Sequence, residues 1–327
     1  MPDADGHADY AAVWLADQGA FSGPGALIKE GAGRLIIGGH YADVPRYAAP
    51  RIALDSLCVN DGVLDIAHSA TLTAPVWLNG AQRAGGTSQY AMGAVRQFSR
   101  DGMHADLVFN GGAYYANYLD VPRLTNAGNL LVLAPSFLLV SDYGAGGAGA
   151  QPRHAVFSGA LRGTNVLCLP WGGTVQFTGV IAPGVSSNAF SIGALFLTSA
   201  APQRVTLGSS ATPVAVQIDL AGAGGVPGVD HDILVLEGGN DVALDALDLT
   251  VSTALEHSAT TNVIVYTDGV VSGALHGVVW RPAGATGTVL YYENAIAITA
   301  VLIPEPGTLL VSVLACCVIG TRQTTRG

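Results

Sequence analysis

The sequence predicts an all-β chain built as a stack of short strands, and three observations point there. Half of the residues are hydrophobic while only 12% are charged, enough to bury a large core and too apolar for a disordered tail. Aromatic residues are few and Val, Ala, Leu, Thr and Gly dominate, which suits closely stacked pleated strands better than a helical core. From Leu27 to Gly39 alternate positions share one character, the period of a strand rather than of a helix. The 43 glycines and 16 prolines imply many turns, yet together they stay below the roughly 25–30% that marks low complexity. A chain of 327 residues ordinarily suggests about two domains. A solenoid removes that expectation, because repeats extend one continuous core.

Charge narrows the function classes. The formal net charge is −10, the only lysine is Lys29, and Val205 to Ile303 holds ten acidic residues against the single Arg281. Nucleic acid is excluded as a partner, since phosphate binding needs a basic stripe. Of the four cysteines, Cys316 and Cys317 belong to the apolar C-terminal run. Cys58 and Cys168 form one disulfide if the fold brings them together and stay separate buried thiols if it does not.

Taken in order, residues 1–24 form an N-terminal segment. Met1 to Gly25 carries acidic residues and histidines but no continuous apolar core, so no secretory signal peptide is visible; the reading is of a misassigned or truncated start. The first strong strand pattern has Leu27, Lys29, Gly31, Gly33, Leu35, Ile37 and Gly39 at alternate positions, with Gly31 and Gly33 dividing it into two short strands. This stretch resembles the autotransporter-associated β-strand repeat, whose core is a leucine, a lysine, two alternating glycines and two alternating leucines. The resemblance implies a right-handed parallel β-helix over residues 25–302, in which each turn of the coil is a rung, glycines round the corners and alternate apolar residues stack inside.

Later stretches extend the likeness. Cys58 to Ile66 resembles the rung that commonly follows, a valine-asparagine-x-glycine turn feeding a strand. Gly179 to Gly184 followed by Ser191 to Leu195 resembles the family's apolar-Ala-Pro-Gly corner, with Val185 to Phe190 inserted. Val205 to Ala211, Val214 to Leu220 and Asp230 to Gly238 resemble late rungs, and Val242 to Val251, Asn262 to Tyr266, Gly287 to Tyr292 and Ala295 to Leu302 supply the last strands. Residues 90–142 lose the rhythm and read as an irregular insertion. There Tyr114, Tyr115 and Tyr118 lie near Arg96, Arg100 and Arg123, a composition suited to sugar rings as well as to packing on the coil. Leu130 to Val140 restores strand character, and Pro135 marks a corner.

Residues 303–327 carry the most specific signal. Pro304, Glu305 and Pro306 are followed by an apolar run, Leu309 to Ile319, and then by Arg322 and Arg326. The prolines fix φ and restrict their preceding residues, so the tripeptide should be extended and accessible. The run reads as a short hydrophobic helix carrying Leu309, Leu310, Val311, Val313, Leu314, Val318 and Ile319. Its eleven residues span about 16 Å at roughly 1.5 Å each, short against a hydrocarbon core of about 30 Å. Arginines after the run fit the cytoplasmic excess of positive charge at membrane-spanning ends. This order resembles the PEP-CTERM sorting signal of exported bacterial proteins. The resemblance implies an exosortase-type membrane transpeptidase as partner, membrane anchorage before processing, and then a cell-surface or extracellular location.

Candidate chemistry is sparse. Gly144 to Gly149 matches G-x-G-x-x-G, but the strand-like Ala155 to Phe157 follows where a dinucleotide site needs a helix. Asp230 and Asp232 are weak metal candidates beside His231, Asp241, Asp245 and Asp248, and read as solvated acidic loops. Calcium-binding Gly-Gly periodicity, zinc spacings and a nucleophile elbow are missing. The expectation is a non-enzymatic structural or adhesion-type surface protein without cofactor, with extracellular polysaccharide as an allowed partner. The alternative is a carbohydrate-active β-helix enzyme of the polysaccharide-lyase kind, which needs Asp230, Asp232 and Arg281 in one groove.

Overall fold

The computed structural model describes residues 12–15, 20–31, 34–37, 51–66, 71–72, 74–80, 94–97, 105–117, 123–141, 154–169, 173–186, 191–222, 224–254 and 260–302. Their regular structure is strand throughout except for one 3-10 turn, Leu244–Ala246. An eleven-stranded sheet runs from Ala20–Lys29 to Gly277–Arg281, a twelve-stranded sheet starts at Ala12–Leu15, and a four-stranded sheet runs from Arg123–Asn126 to Val205–Leu207. Every pairing of the eleven-stranded and four-stranded sheets is parallel. From Arg123 to Glu237 the chain visits the four-stranded, eleven-stranded and twelve-stranded sheets in turn and repeats the circuit, and in the next two circuits Val242–Ala243 and Val271–Ser272, paired as a two-stranded sheet, take the place of the four-stranded one. Each strand therefore pairs with its counterpart one circuit later, the arrangement expected of a solenoid.

Alternation explains the stacking. Val214–Leu220 and Leu247–Thr253 bury every second side chain, and those chains meet on the inside. Leu57, Val76, Leu107, Leu130, Leu161, Ile181, Val216 and Leu249 lie in register on successive strands of the eleven-stranded sheet, and all belong to one continuous core. Full burial of such a side chain is worth about 1.5–3 kcal/mol. Phe157 and Phe177 extend a second ladder on the four-stranded sheet, their ring centroids 5.8 Å apart.

The corners need small residues. A Cβ on Gly128 would collide with the carbonyl of Ala105, one on Gly159 with that of Gly128, and one on Gly179 with that of Gly159. This corner is a column of backbones in contact, and glycine is what fits it. Lys29 works differently at the first corner. Its ammonium donates to the carbonyls of Glu30 (2.8 Å), Gly31, and Asp61 (3.1 Å) on the next rung.

Several expectations are corrected. The coil starts before residue 25, since Ala12–Leu15 pairs with Arg34–Ile37. Residues 90–142 are no irregular insertion over their described part: Ala94–Gln97, Leu107–Asn110, Ala113–Asn117, Arg123–Asn126, Leu130–Ala134 and Ser136–Ser141 all take places in the three sheets. Their strands are too short to show period two in sequence. Cys58 and Cys168 are free thiols, because one lies on the eleven-stranded sheet and the other on the twelve-stranded sheet. The last strands, Ala285–Tyr291 and Ala295–Leu302, pair antiparallel and close the twelve-stranded sheet, and Gly277–Arg281 is a strand that the sequence did not signal. The expected C-terminal helix lies outside the described residues, among which no helix is long and apolar enough to cross a membrane.

Candidate functional site

The sorting residues Pro304, Glu305 and Pro306, the apolar residues Leu309, Leu310, Val311, Val313, Leu314, Val318 and Ile319, and the basic Arg322 and Arg326 all lie outside the described residues. So do the Gly144 to Gly149 loop, Tyr118 and Arg100. Tyr114, in a stretch whose composition suits sugar rings as well as packing on the coil, is fully buried in the core.

Outward positions of the eleven-stranded sheet form the most developed surface. Trp77, Val108, Leu131, Arg162 and Ala182 stand in register on successive strands, and Gln217, Thr250 and Val279 are in register on the last three. A parallel row sets Asp219 beside Ser252 and Ser252 beside Arg281. Between the arginines the outward side chains are small or of middle length, and a hollow opens there. Its volume is about 120 Å³, and its walls include Arg162, Gln217, Asp219, Asp232, Ser252 and Arg281. A second hollow of about 440 Å³ has Val108, Leu131, Arg162 and Val185 in its walls. Arg162 stands in the walls of both, so the two hollows lie next to each other across the strands, the first lined mainly by polar and the second mainly by apolar residues, and together they are called the groove.

The rim comes from the segment that departs from the repeat. Gly184, at φ +110°, turns the chain out of Val180–Pro183, and its N–H still reaches the carbonyl of Gly163 on the previous rung (2.8 Å). The following Val185 and Ser186 face the two hollows. A guanidinium N–H of Arg162 donates to the Ser186 carbonyl (3.2 Å), and the Ser186 N–H donates to Ser191 Oγ (3.1 Å).

Asp232 is built into the floor. Only 1% of it is exposed; Oδ1 accepts the Gly193 N–H (2.7 Å) and Oδ2 the Asp219 N–H (2.8 Å). Burial pushes its pKa up to about 8, aided by the nearby Asp219 charge and opposed by the two N–H donors. Burial thus favours the neutral form of this carboxyl, and Arg162 and Arg281 share the hollow with the carboxylate of Asp219. Asp230 takes no part in it. Its Oδ2 accepts the Val226 N–H (2.9 Å), with Gly222 and Gly224 packed against the carboxylate.

The other acidic candidates also separate. His231 is buried with Nε2 against the Val263 carbonyl (3.0 Å), and burial lowers its basicity. Asp248 pairs with His276 Nδ1 (2.8 Å). Among the described residues no three His, Cys, Asp or Glu side chains are disposed to hold a metal ion. The groove thus unites Asp232 and Arg281, two of the three residues that the enzyme alternative needs together, leaves out Asp230, and adds Arg162, Gln217, Asp219 and Ser252, which sequence reasoning missed. Their signal was available: each is a polar residue at an outward position of a strand whose neighbours are buried.

Neither a family model, nor a curated protein, nor a solved structure matches this chain.

Proposed function

We propose that this chain is an exported bacterial cell-surface or extracellular-matrix protein of structural or adhesion type, sorted by an exosortase-type transpeptidase acting at Pro304, Glu305 and Pro306. The observation that carries the reading is the long parallel coil itself. Its strands hydrogen-bond from rung to rung, a continuous apolar core runs through them, and only 12% of the residues in the chain are charged. Such a body serves as a stalk or layer component through its shape, and the residues after Leu302 supply the address. We read the coil as a right-handed parallel β-helix of passenger type, followed by a short hydrophobic helix. In this account the protein is inner-membrane-anchored before processing and at the surface afterwards, and it needs no cofactor.

The test is fractionation of the native host. The chain with Pro304 and Pro306 both changed to Ala should accumulate in the membrane fraction while the unaltered chain reaches the surface; identical partitioning of the two would overturn the sorting role. A second reading, a carbohydrate-active enzyme of the polysaccharide-lyase kind, is favoured by Asp232 and Arg281 lining one hollow and opposed by Asp230, which lies outside it. Formation of ultraviolet-absorbing unsaturated uronates from a polyuronate by the purified chain would select it.

A further inference from the structure

We infer that the outward groove of the eleven-stranded sheet, from Val108 through Arg162 to Arg281, is a binding site for a linear acidic oligosaccharide of the uronate type. The groove crosses the strands and follows the stacking direction. Arg162 and Arg281 stand four strands apart, about 19 Å at roughly 4.8 Å per strand, room for several linked sugar rings. Each guanidinium offers five donors in a planar fork that matches a carboxylate. Arg162 gives one to Ser186 and retains others facing the hollow.

The residues between the arginines choose the ligand class. Gln217, Thr250 and Ser252 offer donors and acceptors of the kind that sugar hydroxyls need. Beyond Arg162 the apolar hollow gives C–H faces of the rings a surface in Leu131 and in Val185, which is 46% exposed. An extended peptide is a poor match for this direction. It binds sheets by adding to an edge, where backbone groups are unpaired, whereas the groove lies over strands whose backbone groups already pair on both sides. Over these strands recognition falls to side chains, as a polyhydroxyl chain requires, and only Gly277–Arg281 at the far end is a terminal strand of the sheet. Nucleic acid is disfavoured by the absence of a basic stripe and a net charge of −10.

That the ligand is an extracellular polymer rests on the surface-display reading, but binding is a property of the purified chain. Isothermal titration of the full chain against hexagalacturonate, neutral cellohexaose and hexaglutamate tests it. The expected result is binding of hexagalacturonate alone, weakened by added salt. The variant carrying both Arg162→Gln and Arg281→Gln should lose roughly tenfold or more in affinity, with a melting temperature near that of the unaltered chain. Thr250→Trp, which fills the polar hollow from an outward position, should remove binding as well. No binding of hexagalacturonate, undiminished binding by the folded variants, or equal binding of hexaglutamate or cellohexaose would each overturn the site. These outcomes leave the fractionation result untouched, so failure of the site and failure of the sorting reading are told apart.

Discussion

Single polar residues hold adjacent rungs together. Asn240 is fully buried, yet all of its hydrogen-bonding capacity is used: Oδ1 accepts the N–H groups of Arg204 and Val205 (2.9 Å each), and Nδ2 donates to Ser199 Oγ (2.9 Å) and the Glu237 carbonyl (2.8 Å). Lys29 plays the same part at the first corner, where burial lowers its basicity and three carbonyls surround its ammonium. Asp232 adds a pH dependence. Its folded-state value, about 8, lies above the unfolded value near 4, so the linked stabilisation is complete below about pH 4 and is lost as pH rises through about 8. His231 acts in the opposite sense: its lowered basicity contributes stability above about pH 6.5 that is lost on acidification. Urea unfolding of the unaltered chain and of Asp232→Asn across this range should show their stability difference shrinking as pH rises. A difference independent of pH would mean that Asp232 is ionised in the folded chain.

At the scale of the element, the strand pattern was legible wherever alternation ran long enough. Val214–Leu220 has the bounds that the sequence predicts, and the break at Gly31 and Gly33 falls between Ala20–Lys29 and Arg34–Ile37. Residues 90–142 were misread because rungs of four to six residues offer only two or three inward positions each. Tyr114, for which packing and sugar contact were both open, fills a ladder position beside Val95 and Leu138. The groove was half legible. Asp232 and Arg281 were named, but register across strands far apart in sequence decides which outward residues meet, and a single sequence does not display register. The glycine corner carries the prediction proper to this scale. Gly159→Ala should lower the unfolding free energy by about 1–3 kcal/mol through overpacking against the Gly128 carbonyl, as measured by denaturant titration; an unchanged midpoint would show that the corner yields.

For the molecule as a whole, contacts between neighbouring rungs dominate, so stability accumulates along the coil rather than around a centre. Such a stack presents unpaired strand edges at its ends, a hazard for association. The antiparallel pair Ala285–Tyr291 and Ala295–Leu302 turns back on Asn262–Thr267 and completes the twelve-stranded sheet at one end. The last described strand ends at Leu302, and Pro304, Glu305 and Pro306 follow after Ile303 in the sequence. The central claim is that the residues beyond the cap are an address removed on delivery to the surface. Mass spectrometry of the C-terminus of protein recovered from the host's surface tests it most directly: the account predicts a chain ending near Pro304 to Pro306, and a surface protein still carrying Arg322 to Gly327 would contradict it.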